Sequence, residues 1–236
     1  MFNKSRLKAV LVEYKKRFIQ TQWPDEKYKW EAVKCFQVNW DVNTDNFAGM
    51  LTKALSQTGN LLNFSAEMIT NFAEIVQEEV RAMFIELFDE NKDVYERINN
   101  FKQKSNNLLE RYGNGTGYHY QYEDAICTYL WLRYPDKYYI YNFGDIKVVA
   151  SELESDYIFK KGVYADNIRN FLLFYNEICV ELQQDEELKN MLASQITGTC
   201  YPDPELRTLT IDVGFFISRY LNKNDAVPST DEWWPT

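Results

Sequence analysis

The chain predicts a mainly α protein, a helical array with a hinge near residues 113–117 and a small β element near 138–149. Three observations carry that prediction. Apolar residues recur at three- and four-residue spacing in nearly every segment. With 45% hydrophobic residues and only 9 glycines and 6 prolines in 236, the composition is that of an ordered globular chain, not a disordered or collagen-like one. Only Tyr138-Tyr139-Ile140-Tyr141 combines the aromatic and β-branched character of a strand.

The elements follow in order. Leu7, Val10, Leu11, Tyr14 and Phe18 mark a helix to about Gln22, stopped before Pro24. A second begins near Asp25 and carries Tyr28, Val33, Phe36 and Trp40. Asn43 or Thr44 offers N-cap oxygens to a third, which Thr58-Gly59-Asn60 ends. Ser65 is placed to cap a fourth. Val80, Phe84 and Leu87 mark a fifth, and Val94, Ile98, Phe101 and Leu108 a sixth. Residues 1–112 therefore read as a helical N-terminal part. Gly113-Asn114-Gly115-Thr116-Gly117 cannot continue a helix, because three glycines in five residues cost too much backbone entropy. With no strand before it and no Gly-Lys-Ser/Thr after it, this is a hinge or turn rather than a phosphate loop. Residues 118–222 form an aromatic-rich, mostly helical second part. Asp124–Tyr134 is helical up to Pro135, with Ile126, Cys127, Leu130 and Trp131 on one face, so Trp131 is expected in the core. Ile146–Leu153 reads either as a helix capped near Asp145 or, over Ile146–Val149, as a second strand. Helices follow over about 166–184, 186–196 and 204–221. The polar tail 223–236 ends in Trp233-Trp234-Pro235, as a fragment boundary would.

Charge narrows function. The net charge is −9, yet residues 1–118 balance 16 basic against 16 acidic side chains, so the excess lies in the second half. That field opposes wholesale coating of DNA. Within residues 1–17, however, Lys4, Arg6, Lys8, Lys15, Lys16 and Arg17 face only Glu13. Lys8, Lys15, Lys16 and Arg17 are the candidate phosphate contacts, against the alternative of a solvated helix face. Residues 112–164 hold 14 aromatics in 53 positions. Tyr118, Tyr120 and Tyr122 are candidates for stacking on bases, although an aromatic-rich core or inter-domain interface is the better explanation of the enrichment.

Chemistry is sparse. One histidine, His119, excludes multi-histidine metal sites, and Cys35, Cys127, Cys179 and Cys200 lack zinc-module spacing, so no metal and no cofactor is expected. No GxSxG, HExxH or strand-flanked GxGxxG is present. Pro135-Asp136 followed by Asp145-Ile146-Lys147 imitates the PD…(D/E)xK arrangement of metal-dependent nucleases. That chemistry needs both carboxylates and the lysine on adjacent strands, and here it is the minor reading. No apolar run is long enough to span a membrane, and the charged start is no secretory signal; a cytoplasmic location is expected.

Several blocks resemble a known family. Tyr28-Lys29-Trp30-Glu31-Ala32-Val33, Phe36-Gln37 and Trp40-Asp41, then Phe47, Met50-Leu51, Ala54-Leu55 and Gly59-Asn60-Leu61-Leu62, are similar to the N-terminal region of bacterial McrB-type AAA+ ATPases. The similarity is strongest over Leu130-Trp131-Leu132-Arg133-Tyr134-Pro135-Asp136-Lys137-Tyr138-Tyr139-Ile140-Tyr141 and spans roughly residues 26–185. In that family a motor couples nucleotide hydrolysis to a partner nuclease that cuts modified or foreign DNA, and the N-terminal region selects the substrate. The motor's P-loop has no counterpart here. The resemblance therefore implies a non-catalytic specificity or adaptor module of an anti-phage restriction system, with DNA, an AAA+ motor following Thr236 and its nuclease as partners. A protein-interaction or scaffolding module without nucleic-acid binding is the alternative.

Overall fold

The computed structural model describes residues 1–113, 115 and 117–221. Of these, 69% are helical and none lies in a strand. Helix α1 (Lys4–Arg17) starts where the Asn3 side chain accepts the N–H groups of Ser5 and Arg6 at 3.1 and 3.2 Å. Pro24 does not stop the chain as its position implied. A π-helical turn (Phe18–Gln22) widens the backbone, and Pro24 enters the first turn of the short α2 (Trp23–Glu26), where a missing N–H costs nothing. Then come α3 (Tyr28–Asn39), α4 (Phe47–Ala54), a 3₁₀ turn (Gly59–Leu61), α5 (Phe64–Ile75), α6 (Gln77–Leu87) and α7 (Val94–Tyr112). Asn46 caps α4 through Gly49 N–H at 3.0 Å, in place of Asn43 or Thr44. Beyond the glycines lie α8 (Glu123–Arg133), α9 (Phe143–Glu152), α10 (Tyr164–Leu182), α11 (Glu186–Gln195) and α12 (Arg207–Arg219).

The expected β element is absent from the described residues. Tyr138–Tyr141 is neither strand nor helix, and all four side chains are buried. Two of the hydroxyls bond to loop and helix side chains, Tyr138 to Glu90 and Tyr139 to Asn176 at 2.8 and 2.9 Å. Asn142 then caps α9 through Asp145 N–H at 3.0 Å, which turns Ile146–Val149 into helix. Asp136 and Asp145 thereby part company. Asp136 accepts from Tyr201 at 2.7 Å, whereas Asp145 holds Arg219 at 2.5 Å, so no nuclease-like hairpin forms.

Helix α12 is the axis of the core. Thr208–Ile217 are buried without interruption, and α1, α9 and α10 pack around them. Gly214 allows the closest approach: the Tyr175 hydroxyl lies 2.5 Å from where a Cβ would stand. Trp131, fully buried, donates from Nε1 to Thr208 at 3.3 Å, as its place on α8 predicted. Core residues from both sides of 113–117 form one cluster. The expectation for the tail and its Trp233-Trp234-Pro235 falls outside the described residues. Among the described residues no helix is long and apolar enough to cross a membrane.

Candidate functional site: an acidic, aromatic cleft

Where α2 meets α3, a cleft of about 620 Å³ opens between the start of α5, the first turns of α8 and the end of α12. That volume suits a small ligand or a projecting side chain. Its floor is a buried ionic knot. Lys29, fully buried, donates to Asp212 at 2.6 Å and to Glu26. Asp212 also accepts from Tyr14 at 2.6 Å and from Gln22 at 3.1 Å, and Glu26 from Tyr220 at 2.8 Å. Burial, aided by the Asp212 charge, pushes the Tyr14 hydroxyl well above its ordinary range. Burial and Glu26 do the same to Tyr28. Two carboxylates against one ammonium leave the knot with surplus negative charge beneath the cleft.

The walls add rings and further carboxylates. Asp25 and Asp124 line the cleft, and neither has an ion-pair partner among the described residues. Desolvation raises Asp124 above the usual carboxylate range. Phe64 and Tyr120 face each other at 5.4 Å, and Tyr118 extends the row, 6.1 Å from Tyr120. Arg219 is already engaged: Asp145 holds it, and its guanidinium sits 3.8 Å over the Phe215 ring.

Two wall residues are strained. Asn63 (φ 39°) and Tyr120 (φ 55°) occupy positive φ, which costs non-glycine residues about 1–3 kcal/mol each. The surroundings enforce it. Ser65 Oγ donates to Tyr120 O at 2.7 Å, Gln121 Nε2 to Ser65 O at 2.7 Å, and Tyr129 to Gln121 Oε1 at 2.9 Å. Strain of this kind collects at binding sites, because the fold must hold such residues against their own preference.

The sequence-nominated residues divide. Lys15 bonds Glu187 and Asp185 at 2.6 and 3.0 Å, and these bonds raise it above the ordinary lysine range. Lys16 pairs with Glu13 at 2.7 Å, and the Arg17 guanidinium lies 5.7 Å over Phe216. Lys4 and Arg6 are likewise held, by Glu181 and Glu154. Lys8 is exposed, in a separate groove beside Glu181 and Asp185. None of these α1 cations lines the cleft as its described residues define it. Of the tyrosines, Tyr118 and Tyr120 come together, whereas Tyr122 packs on the buried His119 at 4.8 Å. His119 Nδ1 accepts Gln121 N–H at 2.9 Å, and burial lowers its pKa, so the ring is neutral. Among the described residues no three His, Cys, Asp or Glu side chains are grouped to hold a metal ion. Asp25, Phe64 and Asp124 escaped sequence reasoning because nothing local links positions so far apart.

The cleft can accept hydrogen bonds from donor-rich groups and stack on planar or cationic ones. No family model matches the chain, nor does any curated protein or solved structure.

Proposed function

We propose that the chain is a non-catalytic recognition and adaptor module of an NTP-driven DNA restriction system of the McrB type, which presents DNA to an AAA+ motor and its partner nuclease. The observation that supports this reading is the row Tyr118–Tyr120–Phe64 at the cleft, in which the outer rings Tyr118 and Phe64 are exposed and the Tyr120 ring between them is half-buried. Base stacking contributes about 1–3 kcal/mol per base. Titration of the chain with single-stranded, duplex and methylated DNA at two salt concentrations tests it. Tyr118→Ala should weaken binding by about tenfold or more, with a salt slope no steeper than about −3, since α1 offers few unpaired cations. Absence of binding at low salt would refute it.

A second reading, a protein-interaction module without nucleic-acid binding, is favoured by the pairing of α1. Lys4, Arg6, Lys15 and Lys16 each already hold a carboxylate that phosphate would have to displace. Charge reversal of Lys8 and Lys16 separates the two, because it should weaken only a DNA-binding module.

A further inference from the structure

We propose that the cleft receives the guanidinium or ammonium head of an arginine or lysine side chain presented by a partner protein. The inference rests on reading the cleft as the recognition site, and it goes beyond DNA binding to the adaptor's second contact. Three features converge. First, the walls combine aromatic rings with carboxylates that lack ion-pair partners among the described residues, Asp25 and Asp124, and a cation over a ring next to a carboxylate is favoured on both counts. Second, the surplus charge of the knot lies directly below, fixed by Lys29, Tyr220 and Tyr28 so that it cannot turn away. Third, the same wall already seats one guanidinium in this manner, Arg219 on Phe215 with Asp145 at 2.5 Å. The cleft's own lining thus shows a ring and a carboxylate holding a guanidinium together.

The occupant follows from charge. The chain carries −9, which draws in a basic segment and repels a phosphorylated one. At about 620 Å³ the cleft exceeds a single charged head, so the stem and neighbouring backbone enter with it.

The test is fluorescence anisotropy of the full chain with a short Gly/Ser peptide carrying one central arginine. Its twin carries citrulline, equal in shape but uncharged. The arginine peptide, and its lysine counterpart, should bind at least about tenfold more tightly than the citrulline peptide. Asp25→Asn with Asp124→Asn should lose about tenfold, while Glu110→Gln, at an exposed position of α7, stays within about twofold. The citrulline arm needs no variant, so it decides even if the double substitution fails to fold. Equal binding of citrulline, no binding of either basic peptide, or tighter binding of free agmatine than of the peptide would each overturn the inference. DNA titration of the same variants keeps the two readings apart. DNA binding that depends on Tyr118 while the peptides fail leaves the recognition module standing and removes only the basic partner.

Discussion

The knot around Lys29 and the cleft above it are built from the same chemistry, carboxylates and tyrosines, and put it to opposite use. Asp25 and Glu26 are adjacent in the chain. Glu26 is buried and accepts from Lys29 and Tyr220, whereas Asp25 is exposed and has no ion-pair partner among the described residues. Saturation makes the first group structural. A buried charge with every lone pair engaged resists change, and losing one partner exposes the others to the full cost of desolvation. Vacancy makes the second available, because its interactions with water can be exchanged for a ligand. A carboxylate's role is thus set by what is left for it to bond.

The largest effect should come from the knot. Lys29→Met leaves Glu26 and Asp212 buried without a cation, and breaking a buried pair on one side costs about 3–5 kcal/mol. Urea unfolding should show that loss. Adding Glu26→Gln and Asp212→Asn to the same variant should recover part of it, since the orphaned charges are then gone. A loss under about 1 kcal/mol for Lys29→Met would mean that water reaches the knot, and the contrast with the cleft would collapse.

Next in size is a pH effect at Asp203, a buried carboxylate with a different balance. It accepts N–H bonds from Thr208, Leu209 and Trp30 at 3.0, 2.8 and 3.3 Å, yet has no cation partner among the described residues. Burial therefore prevails over those donors and pushes it up to about 6. Because the folded pKa exceeds the unfolded value near 3.9, the native state holds the proton more tightly. The stabilisation is complete below about pH 4 and is lost as pH rises through 6, on the order of 2–3 kcal/mol. Glu86 acts in the opposite sense. Lys104 lowers it to about 2, so its contribution is present above 4.5 and fades toward pH 2. Stability measured from pH 4 to 7 should fall more steeply in the parent chain than in Asp203→Asn; equal slopes would remove Asp203 from the account.

The helices, and the burial of Trp131 among them, were legible because a 3.6-residue period is a local property that each segment declares for itself. The misread strand shows where this ends. Tyr138–Tyr141 has strand-like residues, but a strand also needs a neighbour to bond, and the helices α7 and α10 supply side chains instead. Pro24 was misread because only the structure shows the π-turn that absorbs it. The cleft was the least legible feature. Tyr118 and Tyr120 drew attention through density of aromatics, but Asp25, Phe64 and Asp124 meet only through the packing of α2, α5 and α8. Charge counts misled at α1 for a related reason. Six basic residues facing one acidic look like a surface for phosphate until α10 and α11 bring Glu181, Asp185 and Glu187 alongside.

That pairing gives the third prediction. Lys15 is only 18% exposed and bonds two carboxylates, so Lys15→Ala should cost about 1 kcal/mol by urea unfolding. Lys8→Ala should change stability by no more than about 0.5 kcal/mol. A neutral Lys15→Ala would show its bonds to be loose, and α1 would regain standing as a phosphate contact.

The smallest effect should be found at the mouth of the cleft. Asp25→Asn and Asp124→Asn each keep the side-chain volume and remove a charge that no described cation balances. Two small terms oppose each other at Asp124. It sits in the first turn of α8, where a negative charge favours the helix dipole by about 0.3–1 kcal/mol. Against that, desolvation raises its pKa, so ionisation at neutral pH works against the fold, and the neutral amide relieves this. The sum should lie within about 0.5 kcal/mol of zero, and the change at exposed Asp25 within the same range. The pH profile supplies a finer readout. Any stability attached to the raised Asp124 carboxyl is present at low pH and lost as it ionises, so Asp124→Asn should gain slightly on the parent as pH climbs. A loss of 2 kcal/mol or more, the scale expected of a buried group stripped of its partners, would place Asp124 with Glu26 in the framework and leave the cleft one unneutralised carboxylate poorer.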